Sequence, residues 1–453
     1  MKTSTLRDLI AIAMPMVISQ GAFAVMIFTD RFFMSMISPM HMSASLGGGV
    51  AFHFSMSLFL GMLSYANALV AQYYGRKQLD KCSRVLTQGI LLCVLSIPLL
   101  ALITLVAGGM FTAMGHDPQQ AALEKTYYYV LMWGAFFVLI KTCMGCFFSG
   151  IGQTQKVMIA DMVGVALNVP LSYALIFGEA GFPEMGIVGA GVGTIVSNVV
   201  ALAIFIAFYS HHSVRVRFKL AQSFHFDRGI IKRYVRLGLP SGVEMFLNVA
   251  AFNLFLLMFQ SYGIAEGASA AIVFNWDILS FVPMMGINIG IVSLIGRYVG
   301  AGNMEKTNEV IAAGFLLAIG YSALLATVFV IFRQPLVDLF ISEGVDYEEI
   351  RQLASFMMLG LATYVMADAM ILVIGGVLRG AGDTRWLMYA SVLLHWLMLL
   401  AQYVVIKVLN YGPRASWIIF TVMILSIAGV YLVRLLGQRW RDPEVLKRVM
   451  AEH

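Results

Sequence analysis

Four carboxylates stand inside long apolar runs of this 453-residue chain: Asp30, Glu244, Asp277 and Asp368. A charge in the middle of a membrane helix costs roughly 3 kcal/mol on insertion scales, so such a group faces a cavity or a partner and marks a candidate site. Glu244 sits ten residues into one apolar run, and Asp368 ten residues before the end of another. At 1.5 Å per residue each lies about 15 Å from the nearer boundary, close to the middle of a hydrocarbon core about 30 Å thick. Matched depth lets the two acids form one site, whose carboxylate oxygens suit a proton or, with Glu244 and Asp368 as metal ligands, a hard cation such as Na+. Tyr364, four residues before Asp368, shares its helix face and adds a hydroxyl as donor or ligand.

Asp30 lies towards the outer end of the first run, beside Arg31, and reads either as a functional acid or as an interfacial pair with that arginine. Asp277, in Asn275-Trp276-Asp277, reads either as functional or as a structural acid facing a cavity. Asn168 precedes Pro170 by two residues, so it either marks an unwound stretch with free carbonyls or packs as an ordinary buried amide. These three form the candidate substrate or acidic site. Lys141, near the inner end of its run, is expected to snorkel to the headgroups. Cys143-Met144-Gly145-Cys146 spells C-x-x-C but sits in an apolar helix without the strand-loop-helix setting of a redox motif.

The elements that must hold these residues are membrane helices. Sixty per cent of the chain is hydrophobic and only 12% charged, half the roughly 25% charged usage of a soluble domain. The fold class is an all-α polytopic membrane protein with twelve spans, expected at 9–35, 47–73, 84–110, 122–148, 156–177, 186–210, 234–261, 268–297, 308–332, 351–378, 386–409 and 413–436. The first span reads as a retained helix, because no small-residue cleavage site follows it. Of the 30 Lys and Arg residues, 23 fall on the side of the N-terminus and 5 on the other. That asymmetry predicts cytoplasmic termini in a plasma membrane, a bacterial inner membrane being the expected one. The net charge of +6 is met by this topology and by anionic lipid headgroups, so no nucleic-acid partner is implied.

The chain repeats itself. Leu69, Tyr73, Gly75, Lys81 and Val85 recur as Leu294, Tyr298, Gly300, Lys306 and Val310, at an offset of 225, and Pro15 meets Pro240 in the same register. Gly150-Ile151-Gly152-Gln153-Thr154 recurs as Gly380-Ala381-Gly382-Asp383-Thr384, at an offset of 230. Three matches in near-constant register predict two pseudo-symmetric six-helix bundles of like orientation. The expected ranges are 1–210 for the N-terminal lobe, 211–233 for a cytoplasmic linker, 234–437 for the C-terminal lobe and 438–453 for a cytoplasmic tail.

Taken in order, these pieces resemble the multidrug and toxic compound extrusion (MATE) family, closest to its bacterial NorM-type branch. The resemblance runs through Ala71-Gln72-Tyr73-Tyr74-Gly75, Gly150-Ile151-Gly152-Gln153-Thr154, Gly186-Ile187-Val188-Gly189-Ala190, Leu237-Gly238-Leu239-Pro240 and Leu378-Arg379-Gly380-Ala381-Gly382-Asp383-Thr384. It implies a cation site at Glu244, Tyr364 and Asp368 in the C-terminal lobe and an acidic site at Asp30 in the N-terminal lobe. One departure stands out. Members with a full N-lobe relay carry Asn-x-x-x-Asp in helix 5, and here the run is Asn168-Val169-Pro170-Leu171-Ser172. The implied function is a secondary active antiporter, a monomer without cofactor, that exports small amphipathic cationic drugs or toxins in exchange for Na+ or H+. A lipid-linked oligosaccharide flippase of the same superfamily is the alternative, and no motif of a membrane-embedded enzyme is present.

Overall fold

The computed structural model describes residues 2–341, 344 and 347–452. Positions 1 and 453, the outermost of the first and last sequence ranges, lie outside the described residues. Among the described residues the helices are α1 (Thr3–Ile37), α2 (Pro39–Leu63), α3 (Ala66–Gly75), α4 (Leu79–Ala113), α5 (Pro118–Trp133), α6 (Ala135–Gly150), α7 (Thr154–Phe177), α8 (Ile187–Tyr209) and α9 (His212–Arg217). They continue with α10 (Arg228–Gln260), α11 (Ile264–Gly300), α12 (Met304–Ile331), α13 (Arg333–Asp338), α14 (Tyr347–Ala381), α15 (Thr384–Tyr403), α16 (Pro413–Leu436) and α17 (Pro443–Met450).

Among the described residues eleven segments are long and apolar enough to cross a membrane, and twelve, the number expected, if the bent pair of α5 and α6 counts as one span; two of the twelve are built from pairs of helices. α2 and α3 together make one span of 37 residues, and α5 with α6 makes another, bent by 49°. The bend falls at Gly134, where a Cβ would stand 2.5 Å from Ile195 Cγ1 of α8. Only a residue without a side chain lets α8 approach so closely there. Pro39 opens α2 in its first turn, where a missing N–H costs nothing, and Ser38 caps that turn by accepting from the His41 amide.

The repeat seen in the sequence is a repeat of helix ends. α4 and α12 begin at Leu79 and Met304, an offset of 225, and α7 and α15 begin at Thr154 and Thr384, an offset of 230. The turns before α7 and α15 carry Gly152 at φ +82° and Gly382 at φ +89°, left-handed backbone that a side chain would strain.

Two compact units divide the chain at positions other than the sequence ranges, because their borders fall inside α1 and α10. The N-terminal unit is Ile18–Val243 with Ala451–His453, and the C-terminal unit is Met1–Val17 with Glu244–Met450. Small residues explain both assignments. Within the C-terminal unit, a Cβ on Gly286 of α11 would come 2.5 Å from the Val17 amide, and one on Gly290 would come 3.1 Å from Ala13 Cβ. Within the N-terminal unit, Cβ atoms on Gly238 and Gly242 of α10 would come 2.8 Å from the Met62 carbonyl and 2.4 Å from the Leu58 carbonyl of α2. Each pair is a small-x-x-x-small face, which lets two apolar helices close until their backbones meet.

Candidate functional site

In the N-terminal unit, Asp30 is 6% exposed, and its Oδ2 accepts a hydrogen bond from Thr194 Oγ1 on α8 at 3.1 Å. Ser172 of α7 stands against the same carboxylate. This is the position where the family pattern carries an aspartate, so the departure noted in the sequence falls directly at Asp30. Asn168, one turn before Ser172, is fully buried, and neither atom of its amide finds a partner; Asp30 Oδ1 and Ser172 Oγ make no hydrogen bond of good geometry. Buried polar groups left without partners carry a desolvation cost of about 1–3 kcal/mol each, so a site lined by several of them is set up to receive a polar or charged guest. Among the described residues no ion pair joins Asp30 to Arg31, which removes the interfacial-pair reading. α7 runs unbroken through Pro170, so Asn168 marks no unwound stretch.

Lys141 does not snorkel. Nine residues, about 14 Å of helix, separate it from the end of α6 at Gly150, farther than a lysine side chain reaches. Its ammonium instead lies 3.2 Å from Asp161 Oδ1, with both side chains nearly buried. Asp161 was not singled out from the sequence because it stands only seven residues past the start of α7. The available signal was its match in depth with a lysine that leaves the same boundary.

In the C-terminal unit, Asp277 of α11 stands beside Tyr364 and Asp368 of α14. Both carboxylates are half-buried, whereas Tyr364 is fully buried and its hydroxyl has no hydrogen-bond partner of good geometry. Ser280 Oγ donates to Asp277 Oδ1 at 3.4 Å. Aromatic rings wall this cluster: Tyr364 packs edge-on against Phe420 and Trp417, at centroid separations of 5.5 and 6.1 Å, and Phe255 stacks on Phe420 at 4.7 Å. An apolar wall lowers the local dielectric and strengthens any interaction of the carboxylates with a cation.

Glu244 has a different neighbour from the one expected. Its Oε1 accepts from Arg379 Nη2 of α14 at 2.9 Å, while Oε2 has no partner. His395 of α15 and Tyr431 of α16 are near enough to feel its charge. Arg379 stands just past the expected span 351–378, yet it belongs to the last turn of α14, and its side chain reaches back to Glu244. The turn after α14 is anchored elsewhere, by Asp383 pairing with Arg434 at 2.7 Å. The structure thus brings together Asp368, Tyr364 and Asp277, and ties Glu244 to a base. Among the described residues no three His, Cys, Asp or Glu side chains converge as metal ligands, so a Na+ ion here would draw on two carboxylates with hydroxyl and backbone oxygens.

Comparison with known proteins agrees with this architecture. The family model MatE matches residues 15–174 and 240–404. A probable multidrug resistance protein NorM of Pasteurella multocida is 25% identical over 439 residues, covering 95% of this chain and 93% of that protein. The protein of the same description in Shewanella oneidensis is 29% identical over 395 residues, covering 86% and 84%. Among solved structures, the eukaryotic MATE transporter AtDTX14 superposes with a TM-score of 0.86 at 19% identity, covering 99% of both chains. A MOP superfamily transporter from Pyrococcus furiosus gives 0.87 at 18% identity, covering 98% and 96%. At those identities the structural likeness speaks for the fold.

Proposed function

Since the chain belongs to the MatE family, we propose that it is a secondary active antiporter which exports amphipathic, mostly cationic compounds in exchange for inward flow of Na+ or H+. The multidrug resistance proteins it is similar to support the cargo class. The observation that carries the reading is the half-buried pair Asp277 and Asp368 with Tyr364 against an aromatic wall. Two adjacent carboxylates in a poorly screened site repel each other, and a proton or Na+ taken between them relieves that repulsion. Binding of the ion then biases the protein towards the state that holds it best, and exchange follows only if that state holds cargo worst. Asp30, with the neutral hydroxyls of Thr194 and Ser172 beside it, supplies the single negative charge for a cationic cargo.

Glu244 keeps a role in coupling through its unpaired Oε2, with Arg379 fixing its position. Pairing of Lys141 with Asp161 weighs against the oligosaccharide flippase, because the ammonium is then spent on a neighbour instead of on an anionic cargo. The orientation goes with this reading: both termini cytoplasmic, in a bacterial inner membrane, with the chain acting as a monomer. The test is efflux of a fluorescent organic cation from proteoliposomes under separately imposed Na+ and proton gradients. Efflux driven by one gradient and lost in Asp368→Asn supports the antiporter; gradient-independent movement of cargo in both proteins overturns it.

A further inference from the structure

Four helices of the N-terminal unit meet around the ammonium of Lys141. Nζ stands 3.2 Å from Asp161 Oδ1 on α7 and donates to Asn198 Oδ1 on α8 at 3.2 Å. The face of the Phe23 ring on α1 covers it at 4.2 Å. Ser19, one turn before Phe23, donates its hydroxyl to Asp161 Oδ2 and fixes the carboxylate from the other side. Lys141, Asp161, Asn198 and Ser19 are all buried, at 9, 4, 8 and 0% exposure.

A carboxylate, an amide oxygen and an aromatic face are the groups that replace water around an alkylammonium ion. A pair that merely joined helices would not call for them, since well-packed apolar side chains of the same volume usually hold helices at least as well. The arrangement is also continuous with Asp30. Asn198 Nδ2 donates to the Thr194 carbonyl at 3.0 Å, and Thr194 Oγ1 donates to Asp30 Oδ2. The two carboxylates are therefore served from adjacent turns of one face of α8.

We propose that the N-terminal unit contains a monovalent-cation site of its own, whose resident cation is the chain's Lys141 ammonium. The ligand class of the cage is a primary ammonium or another monovalent cation of that size. With the tethered cation in place, Asp161 stays neutralised without an ion from solution. Asp30 is then the one carboxylate of this region left for cargo, a corollary that rests on the antiporter reading, whereas the cage itself does not.

Removing the tether should turn the cage into a vacant site for a free ion. Lys141→Ala opens a channel that n-propylammonium has the length and charge to refill, because Ala keeps Cβ and only three carbons and the ammonium are lost. The purified full chain in detergent is melted against increasing n-propylammonium chloride, with tetraethylammonium chloride as a control too bulky for the channel. Lys141→Ala is expected to melt below wild type and to regain at least half of that loss, saturably, with n-propylammonium only. Wild type, its cage filled, and Lys141→Ala/Asp161→Asn, its carboxylate gone, should show no specific shift. If Lys141→Ala does not fold, Lys141→Met keeps the aliphatic stem, and ammonium chloride becomes the probe against Lys141→Met/Asp161→Asn. No specific shift in the single variant, or an equal one in wild type or in the double variant, overturns the proposal. The readout involves no transport, so its failure is distinct from a failure of the antiporter reading.

Discussion

The two units handle buried charge in opposite ways. In the N-terminal unit, Asp161 is balanced by Lys141, and Asp30 is left beside the neutral hydroxyls of Thr194 and Ser172, a carboxylate without an ion-pair partner among the described residues. In the C-terminal unit, Glu244 is balanced by Arg379, but Asp277 and Asp368 are near enough to feel each other's charge. One repeated unit thus offers a single charge and the other a like-charged pair. A single charge selects a cationic guest; a pair responds to a small ion that can sit between its members. The Ser172 that replaces an acid beside Asp30 makes the difference, since Asn168-x-x-x-Asp would have given the N-terminal unit a like-charged pair of its own.

The largest expected effect tests the C-terminal pair. Asp368→Asn and Asp277→Asn should each reduce gradient-driven efflux by on the order of a hundredfold, and the double variant should be no worse than either, as for residues that act as one unit. Binding of cargo to the detergent-solubilised variants should stay near wild type. Wild-type transport by Asp277→Asn would leave Asp368 acting alone and dissolve the contrast between the units.

Next comes the single charge. Asp30→Asn should weaken export of organic monocations about tenfold, a loss of about 1.4 kcal/mol, while neutral compounds of similar size are little affected. Ser172→Asp sharpens the comparison from the other direction: with a second carboxylate beside the first, export of monocations should become more dependent on pH than in wild type. Equal loss of neutral and cationic cargo in Asp30→Asn would instead give that residue a structural role.

The balanced pair of the C-terminal unit should show itself in stability. Glu244→Gln removes the carboxylate from the partly buried Arg379 guanidinium and should lower the unfolding free energy by about 1–3 kcal/mol, between the scales of exposed and buried pairs. Glu244→Gln/Arg379→Met should recover part of that loss in the same denaturation measurement. Strict additivity of the two changes would mean that the pair is not coupled.

The smallest effect lies at the last residues of the chain, which belong to the N-terminal unit. Glu452 takes hydrogen bonds from Lys81 Nζ at 2.6 Å and Tyr73 Oη at 3.0 Å. Burial pushes its carboxyl up, but these two donors outweigh burial and hold it below the usual glutamate range. A depressed carboxylate contributes stability that is present above its unfolded-state pKa and is lost as pH falls through its folded one. Thermal melts of wild type and Glu452→Gln should therefore differ by less than about 1 kcal/mol near neutral pH and converge on acidification through the carboxylate range.

Apolar length, basic asymmetry and the internal repeat made twelve spans and two related halves legible in the sequence, because each follows from properties summed along a helix: hydropathy over about 20 residues, a turn that needs Gly152 or Gly382, a helix start at a fixed offset. The intramembrane acids were legible for the same reason, each being an exception inside an apolar run. Their partners were not. Depth along a helix can be counted, but the direction in which a side chain points depends on helix rotation and on which helix lies across from it. Glu244 and Asp368 match in depth, yet Glu244 pairs with Arg379 and Asp368 stands beside Asp277. Lys141 was close enough to an inner boundary to look like a surface cation until Asp161, Asn198 and Phe23 closed around it. The borders of the units were decided in the same way, since glycine faces on α10 and α11 assign the first halves of α10 and α1 by packing that no single helix encodes. The sequence determined which charges had to be buried. Only the packing of helices against one another decided which would be neutralised within the chain and which would remain for an ion or a cargo, because pairing at about 3 Å is a property of two surfaces brought together in space.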